Sequence, residues 1–172
     1  MPKKTGNAVI AEKQLYHLLV SGSDRFLFHD WGKGKNHAAG GFTGNSPRDG
    51  QPPRALEIRA SVENFCGYAR NRLSFPAGSK ALVVTGRVMR SADYSGNVPM
   101  VFLWFPKSNK PVFYQLPAGK NGEWQEFRFE CTDPALLNGG NEFILNLTTQ
   151  LDPRKGEPRG AVFYQNIRVY SK

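Results

Sequence analysis

A chain of 172 residues, 40% of them hydrophobic, 12% aromatic and 22% charged, is long enough to bury a core and excludes an intrinsically disordered segment. Its 23 lysines and arginines against 14 carboxylates give a net charge of +9, a field that favours anionic partners. No apolar run approaches the roughly 18 residues of a transmembrane helix, so no membrane insertion is expected.

The elements follow in chain order. Residues 1–14 read as an N-terminal arm carrying Lys3, Lys4 and Lys13, and residues 15–20 as a first strand. "GKGKNHAAGGFTGNSPRDGQPP" (Gly32–Pro53) reads as a long loop, rich in turn formers and unlike a phosphate loop. "ALEIRASV" sets Leu56, Ile58, Ala60 and Val62 on one face of a strand. "YARNRLSF" sets Tyr68, Arg70 and Arg72 on one face. After the "PAGS" turn, "KALVVTGRVMR" places Leu82, Val84, Gly86 and Val88 opposite Val83, Thr85, Arg87 and Met89. "VPMVFLWF" is apolar on both faces, as in a strand covered on both sides.

"VFYQL" is a short partner strand, and "WQEFRFEC" carries Trp124, Phe127, Phe129 and Cys131, with a bulge expected where the apolar side switches. "EFILNLTTQL" sets Phe143, Leu145 and Leu147 against Ile144, Asn146 and Thr148. The closing "AVFYQNIRVY" places Ala161, Phe163, Gln165, Ile167 and Val169 on one side and Val162, Tyr164, Asn166, Arg168 and Tyr170 on the other. With 18 glycines and 12 prolines scattered between about eight or nine such strands, the class expected is an all-β, two-sheet antiparallel sandwich over residues 15–172.

In this order, "LLVSGSDRFLFHDW", "RALEIRASVENFCGYARNRLSFPAGSKALVVTGRVMR", "GEWQEFRFECTDP", "EFILNLTT" and "AVFYQNIRVY" resemble the galactose-binding-like jelly rolls. Within that group they are similar to carbohydrate-binding modules of families four, nine and twenty-two, over roughly residues 15–170. The resemblance implies a jelly roll whose last strand fills a central or near-central sheet position. Those modules often carry an acidic residue beside the asparagine of the closing strand, near a structural calcium. Gln165 stands there instead, and a neutral amide is a poor ligand for a hard cation, so no metal and no cofactor is expected.

No GxSxG, HExxH or phosphate-loop motif occurs, and His17, His29 and His37 all precede residue 40. Glu57, Glu63 and Glu130 are scattered carboxylates that read as solvated strand positions, and no polysaccharide-lyase motif accompanies Tyr68, Arg70 and Arg72. Catalysis is therefore not expected. Cys66 and Cys131 permit one disulfide and demand none; both read as small buried strand residues.

A binding module needs aromatic faces for sugar rings and polar groups that fix them. Trp104 shares a face with Phe102 and Met100, whereas Trp31 and Trp124 read as core fillers. The candidate ligand-binding residues are Tyr68, Arg70, Arg72, Arg87, Trp104, Tyr114 and Asn146, the arginines suiting an anionic sugar. The basic residues are spread along the chain rather than gathered into a stripe, which disfavours nucleic acid. The lack of a signal-peptide pattern leads us to expect a protein made in the cytoplasm and kept without Sec export, as a subunit incorporated in a virion would be. Two attachment roles follow as expectations. One is decoration of a phage capsid or tail, as a homo-oligomer contacting neighbouring subunits through the arm. The other is free-standing binding of an acidic polysaccharide.

Overall fold

Alternation with period two puts every second side chain of a strand on one face, so strands with one apolar face bury it by pairing into two stacked layers. The computed structural model describes residues 17–21, 27–30, 40–43, 55–59, 66–69, 73–149, 156 and 159–172, the strands 17–21, 27–30, 40–43 and 66–69 as backbone. Its strands are His17–Ser21 (β1), Leu27–Asp30 (β2), Gly40–Thr43 (β3), Ala55–Arg59 (β4), Cys66–Ala69 (β5), Leu73–Ser74 (β6), Leu82–Arg90 (β7), Met100–Phe105 (β8), Lys110–Gln115 (β9), Gln125–Cys131 (β10), Glu142–Thr148 (β11) and Ala161–Ser171 (β12), with one helix, Pro134–Asn138 (α1), between β10 and β11.

Sheet one runs β10-β7-β12-β4-β3, with β1 also pairing β12; sheet two runs β2-β5-β11-β8-β9, with β6 also pairing β11. Every pairing is antiparallel, which makes this the all-β sandwich that the alternation predicts. Leu56, Ile58, Leu82, Val84, Val88, Val162, Tyr164, Ile167 and Val169 of sheet one face Val101, Leu103, Phe105, Phe143, Leu145 and Leu147 of sheet two. Each fully buried side chain of this size contributes about 1.5–3 kcal/mol, so the layer contact dominates stability. Tyr164 ties the layers polar end first: its hydroxyl donates to the Thr148 carbonyl.

The closing strand takes the centre of sheet one. β7 pairs along one side of it, while on the other side Ala161–Tyr164 pair with β4 and Arg168–Ser171 with β1. Its faces differ from strict alternation. The register shifts between Gln165 and Arg168, where Asn166 adopts φ 55°. That bulge moves Ile167 and Val169 to the core face beside Val162 and Tyr164, and leaves Arg168 outside.

Other expectations are corrected. The bulge expected between Trp124 and Phe127 is absent from β10, which pairs with β7 without a shift from Gln125 to Cys131; Trp124 simply precedes the strand. The long loop holds β3, which pairs with β4 despite its glycines because ladder bonds need only backbone. "YARNRLSF" gives two short strands, β5 and β6, both on β11. Twelve strands are described rather than eight or nine. The helix α1 is also beyond the alternation; Asp133 caps it, its carboxylate accepting from the Ala135 amide at 2.9 Å. The expected arm, with Lys3, Lys4 and Lys13, lies outside the described residues.

Candidate functional site

β8 is apolar on both faces, so packing Val101, Leu103 and Phe105 into the core leaves Met100, Phe102 and Trp104 on the outer face of sheet two. The neighbouring strands extend that surface. Trp104 stands between Pro111 of β9 and Ile144 of β11, and Phe102 between Phe113 and Asn146. The Phe102 and Phe113 rings lie 5.1 Å apart at 43°, and Phe113 is 48% exposed, the largest exposed apolar side chain among the described residues. Trp104 is half-buried.

Polar groups beneath the rings are used within the sheet. Asn146, 2% exposed, donates through Nδ2 to the Ile144 carbonyl at 3.1 Å and more weakly to that of Phe102 at 3.5 Å. Thr148 Oγ1 donates to the Met100 carbonyl at 2.6 Å. Asn146 thus supports the platform rather than reaching outward. Among the described residues, the charged side chain that strand alternation places on this face is Glu142, at its β6 end.

The seven sequence candidates do not converge. Trp104 and Asn146 share this face. Tyr114 does not: it stands opposite Val101 and stacks on Phe129 at 4.1 Å, closing the gap between the sheets at their β9 and β10 edges. Burial raises its phenol above the usual range, with Cys131 and Glu130 adding to the shift. Arg87 is on the far side of the sandwich, on the outer face of sheet one, 3.3 Å from Gln165 Oε1 and 5.0 Å over the Trp124 ring. Tyr68 takes the register position opposite Leu147, out of step with Asn146. Arg70 and Arg72 lie outside the described residues.

Phe113 was not a candidate because "VFY" offers three consecutive apolar residues, and alternation alone cannot say which of them faces out. Trp124, expected in the core, instead packs half-buried on Ala55, Met89, Ala161 and Phe163, a second cluster on the outer side of sheet one. Its Nε1 is buried with no hydrogen-bond partner among the described residues. Glu57 and Glu130 sit on that same side beside Arg59 at 3.0 Å and Arg128 at 3.8 Å. Cys131 is a buried free thiol. Among the described residues no group of three or more His, Cys, Asp or Glu side chains could hold a metal.

No protein-family model matches this chain, and no curated protein matches it by sequence. Solved structures share its fold. The CBM22-1 xylan-binding domain of Xyn10C from Paenibacillus barcinonensis matches at TM-score 0.60 and 12% identity, over 91% of this chain and 95% of that one. The enzymatically active domain of tailspike protein 4 of bacteriophage CBA120 matches at 0.59 and 9%, over 87% of this chain and 20% of that one. The Stig cyclase Fisc from Fischerella sp. TAU matches at 0.59 and 12%, over 100% of this chain and 96% of that one. The fold is therefore that of the carbohydrate-binding-module-like jelly rolls, and family twenty-two of the resembled modules is among the similar structures. One scaffold carries these different activities, so function must be argued from the surface.

Proposed function

We propose that this domain is a non-enzymatic carbohydrate-binding module whose glycan lies across the outer face of sheet two. The observation that carries the reading is the aromatic row Trp104, Phe102 and Phe113, presented by the adjacent strands β8 and β9 beside a floor of internally satisfied polar groups on β11. Sugar rings present C–H faces that rest on aromatic rings, and such a platform on rigid strands needs little reordering on binding. The same face supports a neutral polysaccharide over the acidic one expected from the sequence. Arg87 is on the opposite side, and Glu142 would repel a polyanion.

The test is retention of the whole protein on insoluble xylan and on mixed-linked glucan, with Trp104→Ala and Phe113→Ala as variants. Each should weaken binding by about tenfold, as expected for losing roughly 1–1.5 kcal/mol of ring contact. Binding should change little between low and physiological salt, because contact with a neutral ligand is not screened. Wild-type protein that ignores every neutral polysaccharide, or variants that bind as it does, would overturn the reading.

Display on a virion is the second reading, supported by the net charge of +9 and by a phage tailspike domain of the same fold. It expects a symmetric oligomer by light scattering that is lost without residues 1–14, and a monomer would exclude it.

A further inference from the structure

A cleft of about 430 Å³ opens on sheet one where β10, β7 and β12 run side by side. Register decides its contents. Arg128 of β10 and Arg168 of β12 both stand opposite Thr85 of β7, so two guanidinium groups flank one hydroxyl in a row across three strands. Neighbouring strands lie about 4.8 Å apart, which puts the two arginine backbones roughly 10 Å apart, a span their long side chains can close onto one oxyanion. Both arginines are exposed. Arg87 adds a third cation to the wall, oriented by Gln165 and the Trp124 ring. Glu126 also lines the cleft and Glu130 lies 3.8 Å from Arg128, so among the described residues of the cleft three guanidinium groups meet two carboxylates.

The bulge in β12 builds this site. Were the bulge at Asn166 absent and all residues kept, strict alternation from Gln165 would turn Ile167 outward and Arg168 into the core. A non-glycine residue held at φ 55° in a central strand is unfavourable. What that conformation produces is Arg168 on the surface, level with Thr85 and Arg128, with Asn166 itself lining the cleft.

We propose that this cleft is an anion site that takes a carboxylate or sulfate group of an acidic polysaccharide, gripped by Arg128 and Arg168 with the Thr85 hydroxyl between them. Guanidinium forks match the paired oxygens of both groups. A nucleic acid suits the cleft less well. A duplex carries one charge about every 1.7 Å and calls for an unbroken cationic stripe, which Glu126 and Glu130 interrupt. The site is on the opposite side of the sandwich from the aromatic platform and stands or falls separately from it.

The experiment is calorimetric titration of the whole protein with polygalacturonate and dextran sulfate at low salt, with sodium sulfate and duplex DNA in parallel. The Arg128→Ala, Arg168→Ala double variant should lose about tenfold or more in affinity for the acidic polymer, as expected for removing charge-assisted hydrogen bonds. A Lys80→Ala, Lys120→Ala protein, which removes the same charge from exposed positions elsewhere, should bind as the wild type does, and so should Trp104→Ala. Matching thermal melts establish that the variants are folded. Four results would each overturn the proposal: no binding of either acidic polymer, equal loss in the lysine variant, tighter binding to duplex DNA, or sodium sulfate binding as tightly as the polymer.

Discussion

At Asn166 the backbone enters the left-handed region in the middle of an eleven-residue strand, and the faces of everything after it depend on that turn. Asparagine tolerates this conformation because its short polar side chain can bond locally, whereas a β-branched side chain clashes. Asn166→Val is therefore expected to lower stability by about 1–2 kcal/mol, and Asn166→Gly to leave it unchanged or slightly raised, both measured by urea unfolding. Equal losses in the two would mean that the side chain, and not the backbone conformation, matters there. Strict alternation misassigned Ile167 because a period of two cannot register one extra residue. The legible trace was the asparagine itself, a poor strand former amid strong ones. Trp104 stands out in the sequence as a binding residue because it shares a strand face with Phe102 and Met100. A strand apolar on both sides is expected to be covered on both, yet the structure leaves Trp104 half-buried on an outer face. Arg87 was placed on the correct face of its strand, but alternation does not say which sheet a strand joins.

Among elements, the longer alternating segments were readable: β7, β8, β10 and β11 fall where the apolar pattern puts them. β3 was hidden in a glycine-rich stretch because its pairing with β4 uses backbone groups and leaves little side-chain signal. α1 is five residues long, too short for a helical period, although Asp133, Pro134 and Gly139 mark its ends. The elements also differ in how they can open. β12 is paired on both sides, whereas among the described strands β9 and β10 lie at sheet edges with one neighbour each. Hydrogen exchange should accordingly be slowest at Val162, Tyr164 and Val169, at the rate of global unfolding, and faster in the outward-facing amides of β9 and β10. Equal protection throughout would argue against this order of strands.

Across the molecule, the groups among the described residues that clearly resist charging are two phenols. Burial drives Tyr164 well above the ordinary value of 10.0, and Tyr94 adds to the shift. Tyr114 is raised as well, again first by burial. The folded protein keeps these protons after the unfolded chain has begun to release them, so their contribution is complete below about pH 10 and declines as pH rises beyond it. The urea midpoint should therefore hold steady from neutral pH to about pH 9.5 and then fall. Tyr164→Phe should flatten the fall, at a cost of about 1 kcal/mol at neutral pH for the donor lost to Thr148. A midpoint as steep in the variant as in the wild type would remove Tyr164 as the cause.

β12 also follows the other eleven described strands in the chain, yet among the described residues β4 and β7 meet only through it. While translation is under way, most of the second layer has already been made, and the first is still two halves with a gap between them. Each half then presents an open hydrogen-bonding edge that a neighbouring nascent chain could fill in place of β12. Yield in a heterologous host should consequently depend on how fast chains crowd together during synthesis, more than on how stable the finished protein is.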